Sequence, residues 1–212
     1  MSDDRETSDL VLFGRSSSSF TRIARIYAAE LGLSYEFRVV PDLMSLEAAD
    51  YGGNPALRMP VLHTAEGAWF GSASICRAFA RRASSERRLV WPEDLERPLG
   101  ANAQELVLVA LSTEVNLIMA QLAGAGVGGN IDKLRRSLES TLTWLDEHID
   151  SVVASLPSER LVSFLEVTGF CLVTHLSFRD VLPITRYPRL VAFSERFAER
   201  ASARETAYRF DR

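Results

Sequence analysis

The sequence is poor in the residues that build metal and redox sites. Its 212 residues include two cysteines, and its three histidines are His63, His148 and His175. Cys76 and Cys171 form no C-x-x-C pair and fall in predicted amphipathic helices, so we expect buried, reduced thiols. Because the histidines lie far apart and lack the spacing of metal ligands, we expect no metal site.

An excess of one charge is also lacking. The chain has 24 basic and 28 acidic residues and a formal net charge of −4, so we expect neither nucleic acid nor a membrane as a partner. No uninterrupted apolar run approaches the ~18 residues that span a bilayer. The opening MSDDRETSD is acidic and polar, unlike the basic and then apolar start of a signal peptide. We therefore expect a cytoplasmic protein.

The first eighty or so residues alternate between strand and helix patterns. Leu10–Phe13 reads as a buried strand, Phe20–Leu31 as an amphipathic helix and Tyr35–Val40 as a second strand, which together predict a β-α-β unit with parallel strands. A weakly helical stretch within residues 42–54 follows. Two short strands about a glycine-containing turn then predict a hairpin, and Ser72–Arg82 predicts a second clear helix.

The character of the sequence changes at Ser84. Residues 84–98 are polar, contain two prolines and read as a linker. Beyond them we find no strand pattern. Four helices are predicted instead, at residues 99–123, 131–155, 164–178 and 189–200, and the first is ended by the glycine-rich GAGVGG. We therefore predict an α/β domain at residues 8–83, a linker at 84–97 and an all-helical domain at 98–207.

One helix start has a distinct capping pattern. Ser163 and Glu166 have the spacing of a capping box, in which the serine oxygen accepts the Glu166 amide hydrogen bond and the glutamate reaches back. We expect an alanine at Ser163 to cost about 1 kcal/mol of stability.

Several segments resemble the cytosolic glutathione S-transferases, in particular a bacterial branch. NPALRMPVL, at residues 54–62, is similar to the family's N-P-x-x-K-V-P-V-L. SSSSFTR, at 16–22, is similar to the loop T-S-P-F-x-R, and HLSFR, at 175–179, to Y-L-x-F-R. The resemblance covers residues 8–207. It implies a thioredoxin-like N-terminal domain of β-α-β-α-β-β-α order and an all-α C-terminal helical bundle.

The resemblance also implies an activity. Family members are detoxifying transferases that conjugate or reduce small electrophiles with glutathione, which serves as co-substrate without a metal, and they form two-fold homodimers. By resemblance Ser18 aligns with the catalytic serine, and Ser17 is the second candidate. A polar loop that merely caps the following helix stays open as the alternative.

The remaining glutathione-binding residues are also assigned by resemblance. The Met59–Pro60 peptide bond would be cis, and the Met59 backbone would pair with the cysteinyl part of glutathione. A rigid turn before a strand is the alternative. Arg58 stands where the family often has a lysine that reaches the glycyl carboxylate, whereas we expect Arg22 and Arg25 to be solvated surface arginines.

The segment GSASI, at residues 71–75, departs from the family's pattern E/D-S-x-A-I. We expect Ser72 to be the N-cap of a helix that begins near Ala73 and to bind the γ-glutamyl carboxylate. Gly71 replaces the acidic residue that helps to hold the α-amine. Two hypotheses therefore remain: a glutathione transferase, or a non-catalytic member that has lost or weakened glutathione binding. The sequence does not identify the electrophile.

Overall fold

A computed structural model of the chain describes residues 9–83, 88–122, 124 and 128–211. The acidic N-terminal stretch up to residue 8, the first part of the predicted linker and residues 125–127 of GAGVGG lie outside the described residues. The described chain divides into two compact units: residues 9–83 with 202–211, and residues 88–201. The boundaries 8–83, 84–97 and 98–207 stay a prediction.

The first unit contains a four-stranded mixed sheet. Its strands are β1 (Val11–Gly14), β2 (Glu36–Val39), β3 (Val61–Thr64) and β4 (Gly67–Phe70), in the order β2-β1-β3-β4. β1 pairs with β2 in parallel, as predicted, and antiparallel with β3, which pairs antiparallel with β4. A 3₁₀ helix, Ala48–Tyr51, occupies the place of the weakly helical stretch.

Two helices complete this unit, α1 (Ser19–Glu30) and α2 (Ser72–Arg82), and they pack against each other. Their apolar faces bury Ile23, Ile26, Tyr27, Ile75 and Phe79 completely. These residues recur at three- and four-residue spacing, which gives each helix one apolar face. The expected β-α-β-α-β-β-α order of a thioredoxin-like domain is therefore present, with a 3₁₀ helix as its second helical element.

The second unit is built from α3 (Pro98–Leu122), α4 (Gly129–Ser155), α5 (Phe164–Arg179) and α6 (Pro188–Ala198). α3 packs against α4 and α5, and α6 packs against the same two helices. A short helix, α7 (Ala201–Glu205), follows α6 and leads into the C-terminal segment of the first unit.

The expectation of no strand beyond residue 98 is wrong, and a further strand lies within the predicted linker. β5 (Arg88–Val90) and β6 (Arg160–Ser163) pair in parallel within the second unit, with a register shift after Arg88. Each strand is too short to show a two-residue alternation, and β5 lies in the polar stretch that reads as a linker. The pairing joins segments that are far apart in sequence and have no local signature of it.

The capping box of α5 is confirmed. Ser163 Oγ accepts a hydrogen bond from the Glu166 amide at 3.0 Å, and Glu166 Oε2 accepts from the Ser163 amide at 3.2 Å. Arg160 donates to both Glu166 carboxylate oxygens, at 2.7 and 2.6 Å. The cap therefore includes a bidentate ion pair that lies mostly out of water.

Helix α3 qualifies the expectation about apolar runs. By length and composition alone it could cross a membrane, which is weak evidence because core helices of soluble proteins pass the same test. Polar and charged residues interrupt its sequence, so it contains no long uninterrupted apolar run. Within its unit α3 buries the Glu114 side chain, whose Oε1 lies 2.9 Å from His175 Nδ1 on α5. Burial raises the pKa of Glu114, partly offset by His175 and Arg179.

Candidate functional site

Three loops of the first unit meet at one edge of the sheet. The register pairs Phe13 at the end of β1 with Val61 at the start of β3, and Val61 with Phe70 at the end of β4. The loop after β1, the loop before β3 and the start of α2 therefore lie side by side. This arrangement brings the candidate serines, Met59–Pro60 and Gly71–Ser72 to a common edge.

The loop after β1 is a tight turn, which we call the serine turn (Arg15–Ser18). The Ser18 amide donates to the Arg15 carbonyl at 3.1 Å, and Arg15 Nε donates to the Val40 carbonyl at 2.7 Å. The turn is thus closed by its own backbone, and its first residue is tied to Val40, which follows β2.

Ser18 is the N-cap of α1. Its backbone is extended, and its Oγ accepts a hydrogen bond from the Thr21 amide at 3.2 Å. The helix-capping interpretation of the loop is therefore confirmed for Ser18. Capping does not exclude chemistry, since a hydroxyl that accepts from an amide still has its own proton to donate. Ser18 is half-buried, whereas the side chains of Ser16, Ser17 and Ser19 are buried.

A glycine brings α1 close to β1. A Cβ on Gly14 would lie 2.5 Å from Cγ2 and 2.6 Å from Oγ1 of Thr21, closer than packed atoms come. Gly14 therefore allows the first turn of α1, which Ser18 caps, to sit directly on the end of the strand.

The Met59–Pro60 peptide bond is cis, as the resemblance implies. The preceding loop is held by the buried Asn54 side chain, whose Nδ2 donates to the Arg58 carbonyl at 2.7 Å and whose Oδ1 accepts from the Ala56 amide at 3.0 Å. Met59 is half-buried and the Arg58 residue is exposed. The Asn54 side chain thus cross-links the loop, while Arg58 is exposed.

The expected N-cap role of Ser72 is wrong, because Gly71 caps α2. Gly71 has φ 79° and ψ 150°, its carbonyl accepts from the Ile75 amide at 3.1 Å, and no side chain caps the helix. Ser72 is the first helical residue, and only 7% of its surface is exposed. The Gly71 amide donates to the Pro60 carbonyl at 3.1 Å, which joins the start of α2 to the cis-proline loop.

The start of α2 is suited to hold an anion. The amides of Ser72, Ala73 and Ser74 precede the first residue that can donate within the helix, and the first turn contains no acidic residue. Gly71, Ala73 and Ser74 are exposed. Outward-pointing amides and the helix dipole together favour a carboxylate at this position.

The expectation that Arg22 and Arg25 are solvated is wrong, since they are only 5% and 8% exposed. Arg22 Nη2 donates to the Ala203 carbonyl at 3.0 Å, and the guanidinium lies 4.3 Å from the centre of the Tyr208 ring. Arg25 Nε donates to the Tyr35 hydroxyl at 3.3 Å. The partners of Arg22 lie about 180 residues away along the chain, so no local pattern could predict its burial.

Sequence reasoning also missed a carboxylate at the serine turn. The Ser16 amide donates to Asp211 Oδ2 at 2.7 Å. The two residues are 195 positions apart, and the motif around Ser16 gives no sign of a distant partner. Among the described residues, no group of three or more histidine, cysteine or acidic side chains could hold a metal ion. Cys76 and Cys171 are buried and are not joined in a disulfide, as expected.

Residues 17–82 match the family model described as "Glutathione S-transferase, N-terminal domain". No curated protein matches the chain. The family match covers the serine turn from Ser17 onward, the cis-proline loop and α2, which are the elements that form the edge described above.

Solved structures share the fold over nearly the whole chain. A glutathione S-transferase from Methylobacillus flagellatus with glutathione bound has a TM-score of 0.75 and 20% identity, covering 94% of this chain and 100% of that one. A glutathione transferase family member from Pseudomonas fluorescens with bound glutathione has a TM-score of 0.74 and 18% identity, with coverage of 94% and 99%. A glutathione S-transferase from Methylobacterium radiotolerans, in complex with glutathione sulfonate, has a TM-score of 0.71 and 18% identity, with coverage of 96% and 97%. The expected fold, a thioredoxin-like sheet domain followed by a helical domain, is confirmed.

Proposed function

We propose that the protein is a glutathione transferase that conjugates or reduces small electrophiles, because residues 17–82 match the glutathione S-transferase N-terminal domain model. The observation that carries the proposal is the position of Ser18. Its hydroxyl stands at the N-terminus of α1, accepts from the Thr21 amide and retains a proton to donate.

The chemistry requires the glutathione thiolate, because the thiol is a poor nucleophile. Lowering a thiol pKa from about 8.5 by two units takes about 2.7 kcal/mol. A hydrogen bond from the Ser18 hydroxyl to the thiolate supplies about 1.5–3 kcal/mol, and the N-terminus of α1 adds about 0.3–1 kcal/mol. One serine at this position is therefore energetically sufficient, and Ser17, which is more buried, is the second candidate.

The rest of glutathione would lie along the same edge. The Met59 backbone, turned by the cis bond to Pro60, would pair with the cysteinyl backbone like an added strand. Ser72 and the first amides of α2 would hold the γ-glutamyl carboxylate. The exposed Arg58 would reach the glycyl carboxylate.

Gly71 favours a second candidate function. It supplies no side chain to the γ-glutamyl α-amine, and the first turn of α2 has no acidic residue to replace it. A member of the family that lacks this contact could serve as a binding or interaction protein without catalysis. Resemblance further supports a two-fold homodimer in the cytoplasm, with a small electrophile as the second substrate and no metal.

The two functions are separated by retention on immobilised glutathione followed by an aryl-halide conjugation assay. We expect the native protein to be retained and active, and Ser18→Ala to conjugate at least about tenfold more slowly. Ser18→Gly keeps most of the helix cap and should be equally slow, which separates loss of the hydroxyl from loss of the cap.

Ser19→Ala is the matched control, because it removes a neighbouring buried hydroxyl for which the described structure shows no hydrogen-bond partner. It should conjugate at the native rate. Native protein that is neither retained nor active would reject the transferase in favour of the non-catalytic alternative. Full activity of Ser18→Ala would move the catalytic role away from Ser18.

A further inference from the structure

The C-terminal segment of the chain, residues 202–211, is fastened along α1. Ser202 Oγ donates to Glu30 at the end of α1. Arg22, in the first turn of the helix, donates to the Ala203 carbonyl at 3.0 Å and lies against the Tyr208 ring. Ser202, at the start of the segment, thus contacts the end of α1, and Tyr208, further along, contacts Arg22 near the start of α1. The segment therefore runs antiparallel to the helix.

The segment ends at the serine turn. Asp211 Oδ2 accepts the Ser16 amide at 2.7 Å. Ser16 is the second residue of the turn closed by the bond from the Ser18 amide to the Arg15 carbonyl. The amide at this position has no acceptor within a turn of this kind, so the carboxylate satisfies a donor beside the N-cap of α1. A hydrogen bond to an ionised acceptor is stronger than one between neutral groups.

We propose that Asp211 is a positioning residue that holds the serine turn in the geometry that presents Ser18. Its catalytic meaning rests on the proposed function. Besides the backbone bond that closes it, the turn is held by the Arg15 side chain on the Val40 carbonyl, by Asp211 on the Ser16 amide and by the Ser18 hydroxyl, which accepts from the Thr21 amide. Without Asp211, the Ser16 amide loses its acceptor and the middle of the turn is released.

The effect of the Asp211 charge can be separated from its effect as a hydrogen-bond acceptor for the turn. A negative charge close to the N-terminus of α1 opposes formation of a thiolate there, so a carboxylate is useful at this place only as an anchor. Asp211→Asn keeps an oxygen acceptor and removes the charge, whereas Asp211→Ala removes both. An anchoring role therefore predicts that asparagine rescues what alanine loses.

The first test is hydrogen exchange of the single Ser16 amide, followed by NMR without glutathione. We expect this amide to exchange about tenfold faster in Asp211→Ala than in the native protein, because a bond to a charged acceptor protects it. Asp211→Asn should stay close to native. Glu205→Gln, which removes an exposed charge from the same segment, is the control and should leave the rate unchanged. An unchanged rate in Asp211→Ala overturns the proposal.

The second test is steady-state conjugation. Asp211→Ala should lower kcat about threefold to tenfold with a smaller change in KM for glutathione, because the α2 and Met59 contacts remain. Asp211→Asn should restore kcat. A change in KM alone would contradict a positioning role. If native protein neither binds nor conjugates glutathione, the proposed function fails, and the Ser16 exchange rates still decide whether Asp211 orders the turn.

Discussion

The backbone conformation of residue 71 requires glycine. With φ 79° and ψ 150° it lies in a region that is essentially restricted to glycine. Apart from Gly71 itself and its two chain neighbours, no atom lies within 4 Å of where its Cβ would be, so conformation and not space selects glycine. Glycine gives α2 an unstrained start. Under the proposed function, the same glycine leaves the α-amine of glutathione without a side-chain partner at this position.

Restoring the acid at this position should separate the two effects. We expect Gly71→Glu to lower the free energy of unfolding by about 1–3 kcal/mol, from backbone strain. It should also bind glutathione about two- to fivefold more tightly than Gly71→Gln, since the carboxylate can pair with the α-amine. Thermal unfolding and calorimetric titration measure the two quantities.

The glutamine variant has the same strain and nearly the same size, which makes it the matched control for charge. Equal affinity of the two variants for glutathione would show that the α-amine does not lie beside residue 71. That outcome would leave the strain argument standing and remove the assignment of the γ-glutamyl position.

At the scale of single elements, a local pattern predicts an element whose stability is itself local. Apolar periodicity predicts the helix ends to within two residues, and the Ser163–Glu166 spacing predicts the capping box. The weak helical stretch before β3 became a 3₁₀ helix, and β5 and β6 were missed. Those strands are stabilised by their mutual pairing and not by their own sequence.

The cap of α5 predicts a pH dependence. Burial raises the pKa of Glu166, but the hydrogen bond and charge of Arg160, together with the bonds to Ser163, lower it by more, so the net shift is downward. A carboxyl with a lowered folded-state pKa stabilises the protein above its unfolded pKa of about 4.3. This contribution is lost as the pH falls through the folded pKa.

We therefore expect Glu166→Gln to be less stable than the native protein at neutral pH by about 1–3 kcal/mol. The difference should shrink once the pH falls below about 4. Urea denaturation at several pH values measures it. Glu159→Gln, an exposed neighbour, is the control and should follow the native curve. A difference between Glu166→Gln and native that is constant with pH would contradict the ion-pair account.

At the scale of the whole molecule, the sequence could predict the fold but only half of the site. The order of the elements and the serine cap of α1 follow from local patterns, and the cis Met59–Pro60 bond follows from the resemblance to the family. Burial of Arg22 and the bond from Ser16 to Asp211 do not, because each joins residues more than 180 positions apart. Contacts of that range depend on the folded chain as a whole.

A shared overall fold does not by itself determine the activity. Structures at 18–20% identity share the architecture across more than nine-tenths of the chain, yet fold alone does not fix activity. The proposed activity would depend on a few atoms: the Ser18 hydroxyl, the backbone of Met59 and the first amides of α2. Their common edge in the first unit is the physical basis of the proposed function.

The central claim is that the Ser18 hydroxyl stabilises a glutathione thiolate, and the pKa of the bound thiol tests it most directly. The thiolate absorbance of glutathione bound to the native protein should titrate about two pH units below that of the free thiol. In Ser18→Ala the pKa of the bound thiol should rise most of the way back to that of the free thiol, whereas in Ser19→Ala it should stay at the native value. A bound thiol that titrates at the same pH in the native protein and in Ser18→Ala would contradict the account.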